Sequence, residues 1–300
     1  MKQLALIGPT ASGKTALAVG LAKTLNAVIL SLDSLSLYKE IDIASAKPTL
    51  EERGGIRHFG IDLLSPDALF DVSTYITLYR KALVFAEQEE KGLIIVGGTS
   101  FYLKMLLEGI SDLPVISPTN REKSSQALQN LSESHAMLSQ LDPAYMRQIK
   151  PTDRYRIEKV LDIYFETGLV PSVYFAQHPP KPAIQTPLPL YQISVERSVL
   201  RERITARTGR MIEEGLINEV CMLEQHYGRS PNSMKAIGIK ETLAYLDGAY
   251  DKAKLSEQIS THTAQLAKRQ TTFNTSQFKS TFLGGAEDIY KDIMSAATNL

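Results

Sequence analysis

Four short stretches carry the residues that can do chemistry. The first is Gly8-Pro9-Thr10-Ala11-Ser12-Gly13-Lys14-Thr15. Its glycines let the backbone curl with amides turned inward, and a helix starting at its end adds partial positive charge. Lys14 supplies a point charge, and Thr15 a hydroxyl that suits a magnesium ion. The octet is a cradle for a phosphate chain, but it does not say whether that is ATP, GTP or another diphosphate. The second stretch is Asp33-Ser34. A carboxylate there is a candidate general base, and equally a turn or helix-cap aspartate. The third, Gly97-Gly98-Thr99, permits close backbone approach to a ligand and offers a hydroxyl, or forms a tight turn and nothing more. The fourth is Arg203, Arg207 and Arg210, spaced to share one helical face opposite the apolar stripe Ile212, Leu216, Val220 and Leu223. Spacing alone favours a solvated arginine face over a phosphate clamp.

The elements that must position these groups read as an α/β alternation. Gln3–Ile7, Ala27–Ser31 and the run from Gly92 are buried-strand patterns, and each ends at one of the chemical stretches. In an open parallel sheet, ligands gather beyond the carboxyl ends of the strands, so all three share one rim. A short edge strand is expected at 58–62, and a helix capped by Ser73 follows it. From about Ser117 to His178 the alternation stops and helices are expected near Thr119, at 131–141 and at 152–167. Five of the fourteen prolines then fall between Pro179 and Pro189 and mark a boundary. A strand at 188–194, one long helix at about 196–226, further helices, a strand at 279–283 and a last helix complete the pattern. The expected architecture is a P-loop NTPase-like parallel sheet with an inserted all-helical domain. The core occupies 1–116 and 187–300, and the insertion 117–186.

Composition narrows the function classes. Thirty-three basic residues balance thirty-three acidic ones, so an indiscriminate polyanion binder is excluded and any nucleic acid must be held by local patches. The single cysteine, Cys221, excludes an internal disulfide and a cysteine-based zinc site, and fits a reducing compartment. No apolar run approaches membrane-spanning length and no signal-peptide pattern precedes the glycine-rich loop. A cytoplasmic monomer is the expectation. Gly97-Gly98-Thr99 stands where many P-loop ATPases and GTPases carry a strand-end acid, and no Asn-Lys-x-Asp base-reading motif is present. A motor or GTPase is therefore disfavoured.

Taken together, these segments resemble tRNA dimethylallyltransferases (tRNA isopentenyltransferases) of the bacterial type. The matching stretches are the octet 8–15, Asp33-Ser34, Asp42-Ile43 with Ala46-Lys47-Pro48, Gly97-Gly98-Thr99, and Leu141-Asp142-Pro143. They continue with Thr167-Gly168, Arg203-Ile204, Glu214-Gly215-Leu216 with Glu219-Val220, Ala236-Ile237-Gly238, and Leu266-Ala267-Lys268-Arg269-Gln270. The likeness spans nearly the whole chain. It implies transfer of a dimethylallyl group from dimethylallyl diphosphate to the exocyclic amine of an adenosine 3′-adjacent to the anticodon in tRNA. By that resemblance the octet holds the isoprenoid diphosphate, with magnesium at Thr15. Asp33 is the base, Thr99 orients a substrate, and Arg203 or Arg207 neutralises the leaving group. Contacts to the tRNA anticodon stem-loop fall to Asp33, Ser34, Leu35, Ser36, Thr99, Arg121, Arg156, Lys159, Lys268 and Arg269. The chain departs from the family pattern at Ser36 (usually glutamine), Ala44 and Ser100 (glycine), Lys159 and Ala264 (arginine) and Phe273 (tryptophan). Without the resemblance, the octet, Asp33 and the Gly97-Gly98 turn would equally suit a small-metabolite kinase. A P-loop RNA-binding protein without chemistry is the other reading.

Overall fold

The computed structural model describes residues 2–279 and 281–298. The chain divides into two compact units, one spanning Leu107–Ala183 and the other built from the stretches on either side of it.

The flanking unit is the α/β core. In chain order it contains β1 (Gln3–Ile7), α1 (Lys14–Thr24), β2 (Ala27–Ser31), β3 (His58–Phe59), α2 (Val72–Gln88), β4 (Gly92–Gly97) and α3 (Ser100–Glu108), whose last turn crosses into the other unit. The helical unit follows with α4 (Pro118–Ala127), α5 (Leu131–Leu141), α6 (Pro143–Met146), α7 (Arg154–Thr167) and α8 (Pro171–Gln177). The core then resumes with β5 (Leu190–Ile193), α9 (Arg197–Glu213), α10 (Leu216–Tyr227), α11 (Ile239–Leu246), α12 (Lys252–Gln277), β6 (Phe282–Gly284) and α13 (Ala286–Thr298).

All strand pairings are parallel, in the order β3-β2-β4-β1-β5-β6. Both faces of the central strands are covered, which explains why β1, β2 and β4 read as continuous apolar runs instead of alternating ones. Leu6, Ile29, Ile94 and Ile193 pack with Leu21 and Ala22 of α1 and with Ile289 and Ile293 of α13. A second apolar cluster joins Ile41 to Leu216, Val220 and Leu223 of α10, Ile239 of α11 and Ile259 of α12.

The helical unit has its own core, where Leu128, Leu138, Met146, Ile157, Val160 and Leu161 meet. Asp142 caps α6 through Tyr145 N (3.1 Å) and also accepts from Ser172 N at the start of α8 (2.8 Å). This unit begins at Leu107, ahead of the 117 read from the sequence. Its non-helical base accounts for the difference. Lys181 N donates to Ile110 O (3.2 Å), and Tyr174 Oη to Asp112 O (2.9 Å), so residues before 117 belong to the same packing.

Three further expectations are corrected. The helix expected at 196–226 is two helices, because Gly215 turns into the left-handed region (φ 109°) between them; the apolar stripe continues across the break and hides it. The cap of α2 is Asp71, whose carboxylate accepts from Thr74 N (2.7 Å), not Ser73. Of the strand expected at 279–283, Ser280 lies outside the described residues, and β6 occupies Phe282–Gly284.

Candidate active site

β1 delivers the chain into the phosphate loop. α1 opens with no acidic residue in its first turn, leaving its positive end for an anion. Lys14, the first residue of α1, doubles back over the loop. Its Nζ donates to Pro9 O (2.5 Å) and lies 3.4 Å from Ser12 Oγ. The side chain is buried, and burial lowers its pKa from 10.5 to about 7, against an upward pull from Asp33 and a further downward push from Arg207. Thr15 is exposed on the same first turn.

The strand order sets what faces this loop. β4 lies between β2 and β1, so the Gly98-Thr99 turn at its end separates Asp33, just beyond β2, from the octet beyond β1. Asp33 is held by an Asx turn, with its Oδ1 accepting from Leu35 N (3.0 Å) and its own N donating to Ser31 Oγ (3.2 Å). Its charge is felt by Lys14, Arg207 and Tyr102 alike. Tyr102 is pushed up to about 12, first by burial and then by Tyr38, Asp71 and Asp33. Thr99 is half-buried, and its carbonyl accepts from Tyr102 N (3.2 Å).

The structure separates the three arginines of α9. Arg207 is half-buried and reaches the phosphate loop, where Nη1 donates to Thr10 Oγ1 and Nη2 to Ala46 O, each at 3.3 Å. Burial lowers its pKa and Asp33 raises it. Arg203 and Arg210 are exposed. Of the three, Arg207 is the one that contacts the phosphate loop.

Three residues complete the site that sequence reasoning left unassigned. Gln270 of α12 accepts from Thr10 N through Oε1 (2.8 Å). A Cβ on Gly98 would collide with Gln270 Nε2, so the absence of a side chain at 98 makes room for this amide. Glu219 of α10 accepts from three successive amides, Asp42 N (2.9 Å), Ile43 N (2.7 Å) and Ala44 N (2.9 Å). That fixes the loop whose Ala46 carbonyl receives Arg207. Lys47, buried, donates to Asp42 Oδ1 and Asp62 Oδ1, both at 2.6 Å, and to Tyr38 O (2.9 Å). The resemblance had already grouped Gln270, Glu219 and Lys47 with family motifs, and that was the available signal.

The expected RNA contacts divide. Ser34 and Leu35 are half-buried, whereas Ser36 is buried at 3 % exposure and offers no surface to a large partner. Lys268 and Arg269 are exposed on α12. Within the helical unit, Arg121 and Lys159 line one cavity of about 270 Å³ together with Asp162, Ile163 and the 113–116 segment. Lys159 Nζ is 3.7 Å from Asp162 Oδ2 and lies over the Tyr155 ring at 5.7 Å. Arg156, exposed on α7, pairs with Asp153 (2.8 Å).

A parallel sheet, a glycine-rich phosphate loop and a carboxylate on the adjoining rim define a P-loop enzyme core. No cluster of three or more histidine, cysteine, aspartate or glutamate side chains that could cage a metal occurs among the described residues. The model of the IPP transferase family matches residues 36–277, and the chain belongs to that family. It is 60 % identical over 297 residues, 99 % of each chain, to a tRNA dimethylallyltransferase of Sulfurovum sp. (strain NBC37-1). It is 49 % identical, again over 99 % of each, to one of Wolinella succinogenes. Among solved structures, the full-length tRNA isopentenylpyrophosphate transferase of Bacillus halodurans aligns with a TM-score of 0.71 at 29 % identity, covering 99 % of this chain and 96 % of that one. A eukaryotic dimethylallyltransferase acting on tRNA aligns with a TM-score of 0.82 at 25 % identity, covering 95 % of this chain and 74 % of that one.

Proposed function

We propose that this chain transfers the dimethylallyl group of dimethylallyl diphosphate to the exocyclic amine of the adenosine 3′-adjacent to the anticodon in tRNA, releasing diphosphate. The observation that carries the reading is that Lys14 and Arg207 both reach the octet on one side of the Gly98-Thr99 turn, with Asp33 on the other. As the carbon–oxygen bond breaks, its electron pair moves onto the diphosphate, and fixed positive groups there lower the barrier. The adenine amine is a weak nucleophile because its lone pair is delocalised into the ring. As that pair forms the new carbon–nitrogen bond, the departing proton passes to the Asp33 carboxylate. Thr99 offers a hydroxyl to orient the amine or the diphosphate.

Magnesium fits the groups present. Thr15 supplies an exposed hydroxyl beside the phosphate cradle, and this ion keeps several waters and takes its remaining ligands from substrate phosphates. When bound, it adds positive charge to the leaving group.

An adenosine stacked in the anticodon loop is out of reach of these groups, so it is flipped into the site. Arg121, Arg156 and Lys159 are proposed to hold the anticodon stem-loop, and Lys268 and Arg269 to contact RNA from the core. No helix among the described residues is long and apolar enough to cross a membrane. A cytoplasmic monomer is the working state, which sedimentation and fractionation check.

The test uses labelled dimethylallyl diphosphate, magnesium and an unmodified anticodon stem-loop, with ATP in parallel. Label in the RNA, lost when the target adenosine is replaced by inosine, is expected. No label together with ATP consumption would overturn the reading in favour of a kinase.

A further inference from the structure

We propose that Gln270 is a catalytic residue whose Nε2 donates a hydrogen bond to the diphosphate oxygen that receives the electron pair when the carbon–oxygen bond breaks. The inference rests on the prenyl-transfer reading and adds a donor to it.

The amide's orientation is fixed by chemistry. Thr10 N can only donate, so the carboxamide atom 2.8 Å away is the oxygen, and Nε2 is the group turned the other way. That nitrogen occupies the space a side chain on residue 98 would fill. Strand order puts residue 98 between the Asp33 rim and the octet. The breaking bond must lie in the same interval, with its oxygen toward the octet and its carbon toward the amine that gives its proton to Asp33. Gln270 is half-buried, and the loop amide engages its Oε1, leaving Nε2 without a role in that bond. A neutral donor anchored by its own carbonyl is pre-set for an oxygen that gains charge only in the transition state.

Two substitutions separate this role from the alternatives. Gln270→Glu keeps an acceptor for Thr10 N and replaces the donor with an anion. Gln270→Met removes acceptor and donor without adding charge. If Nε2 is the donor, both variants lose turnover by roughly 10²–10³-fold, the usual effect of deleting one such donor. Both also bind inorganic pyrophosphate more weakly, while thermal midpoints show that they remain folded. If Gln270 only pins the loop, the Met variant falls and the Glu variant stays near wild type. If charge repulsion alone acts, the Glu variant falls and the Met variant stays near wild type. Either of those patterns overturns the proposal. Wild-type transfer to the stem-loop is the control for the reading beneath it. Should that control fail, the pyrophosphate affinities of the three proteins still decide whether Nε2 meets a phosphate oxygen.

Discussion

The cationic groups of the α/β core and those of the helical unit are built in opposite ways. Lys14 and Arg207 are drawn out of water, each hydrogen-bonded to loop atoms, and burial lowers the pKa of both. Arg121 and Arg156 are exposed, and the Arg156 partner is a neighbour one helical turn away. Fixed, desolvated charge stabilises a transition state because it needs no reorganisation when the bond breaks. Exposed charge on flexible stems is screened by salt, and serves to gather a polyanion. On the proposed reading, one basic set serves the chemistry and the other the capture of RNA.

The largest effect that would sharpen this contrast is expected at the carboxylate. Asp33→Asn should lower single-turnover rates by roughly 10²–10⁴-fold, the range for a lost general base, and leave stem-loop affinity nearly intact. A full rate in that variant would remove Asp33 from the mechanism. Next come two arginines of one helix. Arg207→Ala should cost on the order of 10²–10³ in kcat. Arg203→Ala, which removes an exposed side chain, should change kcat by no more than a few-fold. Equal losses would erase the distinction between buried and exposed cations.

Lys14 gives the contrast a pH signature. The protonated amine is the form that binds an anion, and burial moves its loss of charge down to about pH 7. Pyrophosphate affinity should therefore fall as pH rises from 7 to 9, with a slope approaching tenfold per unit, and calorimetry should show proton uptake on binding. Lys14→Arg, always protonated, should flatten that slope even where it weakens binding. The same shift acts on stability with the opposite sense. Between about pH 7 and 10.5 the unfolded chain holds the proton that the ligand-free fold has lost, so this group adds stability as pH rises through that window. The smallest effects are expected in the helical unit. Arg156→Ala or Lys159→Ala should weaken stem-loop binding several-fold, lower the salt slope by about 1, and leave kcat at saturating RNA untouched. A change in kcat would show that these cations do more than capture.

What the sequence disclosed and withheld follows from the distance between partners. The strands β1, β2 and β4, with the octet and Asp33 at their ends, are local patterns, each an apolar run ending in glycine or a polar residue, and all are found in the fold. Arginine periodicity placed three side chains on one face but could not say which turns inward. That depends on the Ala46 carbonyl and the Thr10 hydroxyl, far away in the chain. Gln270 is separated from Thr10 by 260 residues and Glu219 from Ala44 by 175. In Lys268-Arg269-Gln270 attention falls naturally on the charges, yet it is the neutral amide that meets the phosphate loop. The need for glycine at 98 is likewise visible only once Gln270 is seen against it.

The sheet order also governs how the chain acquires its shape during synthesis. β1 is a central strand, yet its β5 neighbour begins at Leu190, on the far side of the helical unit. At about 5–20 residues per second, roughly 10–40 s separate the two strands on the ribosome. Through that interval the β5 side of β1 is an unpaired edge of the kind that invites aggregation, although β4 and β2 are made early and can pair on its other side. The nascent protein is expected to complete its phosphate cradle only when Arg207 and Gln270 have emerged, after the whole helical unit has been made.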